Sequence, residues 1–106
     1  MTALIWCPFP DREAARAAAN ALLDLKLVGC ANLVGPIESI FDWQGARETA
    51  EEIGVLFKTD AELLDRAIAR LEQIHPYATP AIMGWRCDAA ADSTRAWLSL
   101  LGEGGE

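Results

Sequence analysis

Two stretches of this sequence alternate with a period of two, and a short turn joins them. From Gly29 to Gln44, Ala31, Leu33, Ile37, Phe41 and Trp43 fall on one parity, with Asn32, Glu38, Asp42 and Gln44 on the other. From Thr49 to Thr59, Ile53, Val55 and Phe57 stand opposite Glu52, Gly54 and Lys58. Successive side chains of a strand point to opposite faces, so this pattern predicts two long half-buried strands. With a turn at Gln44-Gly45 they form an antiparallel hairpin. Pro36 has no N–H to give a ladder and predicts a bulge or an edge position within the first of them.

The flanking sequence fits around that hairpin. Residues 2–8 are a short apolar run ended by Pro8 and Pro10, bounded like a buried strand. Asp11 predicts the cap of a helix in which Ala14, Ala18, Ala21/Leu22 and Leu25 recur at helical spacing, stopping before Gly29. Its small side chains let it lie close to a sheet. Thr59-Asp60-Ala61-Glu62 matches a capping box, with Thr59 accepting from the Glu62 N–H. Leu64, Ala67/Ile68, Leu71 and Ile74 follow as an apolar stripe, which Pro76 halts. Ala81 to Cys87 reads as a short strand. Asp88 or Asp92 starts a last helix carrying Trp97, Leu98 and Leu101, closed by Gly102 and followed by a mobile tail over 102–106.

The resulting order, β-α-β-β-α-β-α, is that of an α+β ferredoxin-like split β-α-β sandwich: an antiparallel sheet with an extended hairpin and a C-terminal helix. Its 106 residues suffice for one domain and no more. Both crossover helices cover one sheet face and leave the other open. Trp6, Trp43 and Trp85 on predicted strands make a covering partner the better expectation, with a symmetric homo-oligomer as the default.

Nine Lys and Arg against sixteen Asp and Glu give a net charge of −7. Phosphate recognition needs clustered cations, so nucleic acid and anionic membranes are excluded as charge-driven partners. No apolar run has the length of a membrane-spanning helix, and residues 1–10 lack the basic start of a secretion signal, so a cytoplasmic location is expected. Three widely spaced cysteines and one histidine make no zinc-finger or disulfide framework.

Four co-linear pieces are recognisable: Leu25-Lys-Leu-Val-Gly-Cys30-Ala-Asn-Leu33, Ile37-Glu-Ser-Ile-Phe-Asp-Trp43-Gln-Gly45, Val55-Leu-Phe-Lys58-Thr59 and His75-Pro76-Tyr77-Ala-Thr-Pro80. Over residues 2–100 the chain resembles the CutA divalent-cation-tolerance family. The resemblance implies a ferredoxin-like subunit, a tight homotrimer with hairpins packed between subunits, and association with divalent metal ions, copper above all. It also implies carboxylates that are missing here. Gln44, Ala78 and Ala81 stand where the family usually places Glu, and Ala46 where it usually places Lys.

Soft thiols and imidazole suit copper, which makes Cys7, Cys30 and His75 the candidate metal ligands; the family also carries Cys at the positions of Cys7 and Cys30. In the expected strand order 4-1-3-2, Cys30 and Cys87 lie on opposite edges, whereas Cys7 ends its strand where the second helix delivers His75. That pair is the better candidate, though two ligands do not close a site. The competing reading treats all three cysteines as small buried hydrophobes, and His75 as the residue that shapes the chain reversal before Pro76. Trp43, Lys58 and Tyr77 are candidates for a ligand pocket between subunits. No phosphate-binding loop and no activated Cys-His nucleophile is specified, so no enzymatic activity is expected. Two alternatives stand beside metal tolerance: a trimeric small-molecule-binding signalling module of the nitrogen-regulatory type, which shares the architecture, and a stable trimeric scaffold.

Overall fold

The computed structural model describes residues 1–104. Its elements follow in the expected order: β1 (Thr2–Phe9), α1 (Arg12–Asp24), β2 (Cys30–Trp43), β3 (Ala46–Asp60), α2 (Leu64–Ile74), β4 (Met83–Arg86) and α3 (Asp92–Gly104), with a 3-10 turn at Ala61–Leu63 before α2. The strands make one antiparallel sheet in the order β2-β3-β1-β4. Among the described residues no helix is long and apolar enough to cross a membrane.

The hairpin dominates the shape. Gln44 and Gly45 both take positive φ, 51° and 83°, the two-residue turn whose twist matches that of the strands it joins. The β2–β3 register runs from Cys30↔Lys58 to Trp43↔Ala46 and shifts between Val34 and Ile37, around Pro36. β1 pairs with β3 only from Ile53 to Asp60. The outer half of the hairpin therefore has no third strand beside it, and the molecule is drawn out to 44 × 26 × 22 Å.

One core lies between the sheet and two helices. Ile5, Cys7 and Phe9 of β1 and Ile53, Val55 and Phe57 of β3 meet Ala15, Ala18, Ala19 and Leu22 of α1 and Leu64, Ala67 and Leu71 of α2. Asp11 caps α1 by accepting the Ala14 N–H at 2.8 Å. The buried stripe of α1 is rotated from the expected one, with Ala15 and Ala19 inside and Leu25 outside. The helix stops at Asp24, and Leu25 is its cap. Lys26 takes a left-handed φ of 60°, with the Lys26 and Leu27 N–H groups returning to the Leu23 and Leu22 carbonyls at 3.0 Å. This Schellman closure usually employs glycine.

The expected capping box is displaced by one residue. Thr59 still belongs to β3, opposite Ala3, and its hydroxyl donates to the Leu27 carbonyl at 2.7 Å. Asp60 instead accepts the Glu62 N–H at 3.0 Å. β4 is shorter than the 81–87 run, and α3 starts at Asp92 and continues through Gly102 to Gly104 rather than closing there. Of the tail expected to be mobile, residues 105–106 lie outside the described residues. α3 packs against β3 and β1, and Leu98 is buried apart from the main core.

Candidate functional site

Pro76 cannot continue a helix and disfavours helical geometry in the residue before it, so the chain leaves α2 at His75 in an extended conformation. The His75 ring is buried and stacks on Phe9 with centroids 4.4 Å apart. Its Nδ1 accepts the Tyr77 N–H at 3.1 Å, so Nε2 carries the proton and donates to the Pro8 carbonyl at 2.8 Å. The Cys7 thiol approaches the same carbonyl, Sγ to O 3.6 Å. The structure thus brings Cys7 and His75 together, as the topology predicts.

Tyr77 reaches across to the hairpin, where its hydroxyl donates to Glu52 Oε2 at 2.7 Å. Glu52 is only 8% exposed. Among the described residues no Lys, Arg or His pairs with it. Burial, then the hydrogen bond to Glu52 and its negative charge, push the Tyr77 hydroxyl up to about 12. Burial, and secondarily Glu52, push the Cys7 thiol up to about 12 as well, so it is protonated at neutral pH.

Between the outer hairpin and the loop after Pro76 lies a cleft of about 800 Å³. Phe41 and Trp43 of β2 form one wall, Tyr77, Ala78 and Ala81 line the loop side, and Glu52 is the carboxylate at its base. Asp42, the other acid lining the cleft, is ion-paired with Arg47 across the turn. Methyl groups at Ala78 and Ala81, where the resemblance predicts carboxylates, keep that wall apolar.

Cys30 and Lys58 are placed elsewhere. They are register partners at the start of β2, and the Cys30 thiol lies 3.5 Å from Asn32 Oδ1. Lys58 does not line the cleft, whereas Trp43 and Tyr77 do. Cys87 follows the edge strand β4, its N–H held by the Thr2 carbonyl at 2.9 Å. Among the described residues no group of three or more His, Cys, Asp or Glu side chains converges on a point that would hold a metal ion. The donors nearest to one another are already committed: the His75 lone pair to the Tyr77 N–H, and the Cys7 sulfur to its own proton. As arranged in one subunit, these residues do not fit a resident metal ion.

Glu52 is the site residue that alternation hides. The period-two reading puts it opposite Ile53, among the polar residues. The Tyr77 loop bonded to it lies 25 residues further along the chain, beyond the reach of periodicity.

Residues 3–100 match the family model described as CutA1 divalent ion tolerance protein. The divalent-cation tolerance protein CutA of Pyrococcus horikoshii is 32% identical over 95 residues, covering 90% of this chain and 92% of that protein. Among solved structures, CutA from Xylella fastidiosa superposes with a TM-score of 0.90 at 29% identity, over 94% of this chain and 96% of that one. The periplasmic divalent cation tolerance protein CutA from Archaeoglobus fulgidus gives a TM-score of 0.90 at 30% identity, over 95% and 98%. With the family model matched over residues 3–100, a relative 32% identical over 90% of the chain and a fold that superposes with a TM-score of 0.90, the chain belongs to the CutA1 divalent-cation-tolerance family.

Proposed function

We propose that this chain is the subunit of a cytoplasmic, non-enzymatic homotrimer that serves in tolerance of divalent metal ions, copper above all. The observation that carries the trimer is the unsupported half of the hairpin. Ile40 is 63% exposed on the part of β2 with no third strand beside the hairpin, while Met83 and Trp85 are exposed on the edge strand β4. Aromatic and aliphatic surface of this extent is normally buried against other subunits. The role in cation tolerance is supported by what the relatives are named for.

Contact with the cation is assigned first to Cys30, whose thiol is half-buried near the free edge of β2. Cys7 and His75 join only when the thiol gives up its proton and the Tyr77 N–H releases His75 Nδ1. Copper titration of the reduced protein tests this: saturable binding weakened in Cys30→Ser is expected, and no saturable binding contradicts it.

A second reading, a small-molecule-binding module, is favoured by the cleft, whose size is that of a ligand pocket. Trp43 and Tyr77 would hold the ligand there. Lys58 would join them only from a neighbouring subunit.

A further inference from the structure

Glu52 is a carboxylate that the fold leaves only 8% exposed and without an ion-pair partner among the described residues. One oxygen, Oε2, is taken by the Tyr77 hydroxyl, and Oε1 has no hydrogen-bond partner among the described residues and keeps contact with solvent at the cleft. Arg47 is spent on Asp42, the other acid of the cleft, and Arg12, which shares a smaller neighbouring pocket with Glu52, donates to the Gly35 carbonyl at 2.9 Å and makes no ion pair with Glu52. Burying a charge is costly unless it is paired and hydrogen-bonded. The tyrosine hydroxyl supplies a hydrogen bond but no positive charge. Around this carboxylate the cleft offers the faces and edges of Phe41, Trp43 and Tyr77, and the small apolar surfaces of Ala78 and Ala81. Aromatic faces attract cations through their quadrupole, most strongly where water is displaced. A carboxylate at the base of an aromatic, otherwise apolar cleft is therefore complementary to an ammonium group carried on an apolar body, and to neither an anion nor a fully neutral molecule.

We propose that the cleft between the outer hairpin and the loop after Pro76 binds an organic ammonium compound, with the ammonium on Glu52 and its apolar body between Trp43 and Tyr77. This rests on the second reading above, that the cleft is a small-molecule site, and adds the class of ligand. Primary amines suit it best, because an N–H aimed at Oε1 satisfies the carboxylate oxygen that the protein leaves free. The cleft volume of about 800 Å³ admits a body larger than a single ring.

Calorimetric titration of the full-length protein in its native assembly at pH 7 tests the proposal, with phenethylammonium and its neutral analogue 2-phenylethanol as probes. Phenethylammonium is expected to bind saturably and about tenfold or more tighter than the alcohol, the increment of a charge-assisted hydrogen bond. Glu52→Gln is expected to erase that preference. The amide keeps the side-chain shape and an oxygen for Tyr77, and an unchanged melting temperature and circular dichroism spectrum confirm the fold. Tyr77→Phe, which keeps the ring and frees Oε2, is expected to retain the preference. Equal affinity for both probes, or a preference that survives Glu52→Gln, overturns the ligand class while leaving the small-molecule reading standing. If neither probe binds, as when a neighbouring copy fills the cleft, both fall together.

Discussion

The hydroxyl of Tyr77 donates to the Glu52 carboxylate at 2.7 Å, tying the loop after α2 to the base of the hairpin across 25 residues of sequence. The same loop is fastened at its start, where the Tyr77 N–H donates to His75 Nδ1 and His75 Nε2–H donates to the Pro8 carbonyl. One chain of bonds runs from β1 through His75 and Tyr77 to β3, and its Pro8, Tyr77 and Glu52 line the cleft. Tyr77→Phe removes its last link and leaves Glu52 with no partner in the protein. It is expected to lower stability by about 1–2 kcal/mol in urea denaturation. An unchanged midpoint would show that the link carries no load.

His75→Ala, assayed without added metal, is expected to cost more, about 2–4 kcal/mol. It deletes a buried ring stacked on Phe9 and breaks both of the ring's hydrogen bonds. A near-neutral result in chemical denaturation would assign His75 to ligand contact alone and contradict a structural role.

Gly54 lies beneath the indole of Trp6, where an added Cβ would sit 2.2 Å from the ring. Gly54→Ala is expected to destabilise by roughly 1–3 kcal/mol through overpacking. Trp6→Leu in the same chain should recover part of the loss. Thermal melting of the single and double variants checks this, and additive losses would contradict the contact.

Element order and strand order were legible because the hairpin alternation and the two helical stripes each bury one face, which fixes topology in a chain this short. The Asp11 cap, the Gln44-Gly45 turn and the register shift at Pro36 were legible for local reasons: each depends on a side chain or φ value that the residue itself supplies. The misplaced details depend on tertiary contacts. Thr59 has the chemistry of a cap, but the Leu27 carbonyl takes its hydroxyl. The end of α1 is closed by a lysine in a conformation that glycine normally signals. Of the site, the sequence placed Cys7 beside His75 and singled out Trp43 and Tyr77. Lys58, grouped with them for a pocket between subunits, lies outside the cleft of the single subunit, because motif order does not say which end of a strand faces which loop. Glu52 escaped notice because its burial comes from a loop distant in sequence.

Cys7 links the core to solution pH. Its folded pKa, about 12, is raised above the ordinary thiol value of 9.0, chiefly by burial and then by Glu52. A raised pKa means that its contribution is intact below pH 9 and is lost as pH climbs from 9 toward 12. Stability is therefore expected to fall over that window, and Cys7→Ala, whatever its stability at pH 7, should show a shallower fall. Denaturation midpoints measured from pH 7 to 11 check this, and parallel curves for the two proteins would contradict it.

The central claim is that the outer hairpin around Ile40 and the exposed Met83 and Trp85 of β4 are covered by two further copies of the chain. Light scattering coupled to size exclusion measures this directly. The expected result is a single species with three times the 11.5 kDa mass of the chain, unchanged on dilution to the lowest detectable concentration. A stable monomer in which Ile40 and Trp85 stay open to solvent would contradict it.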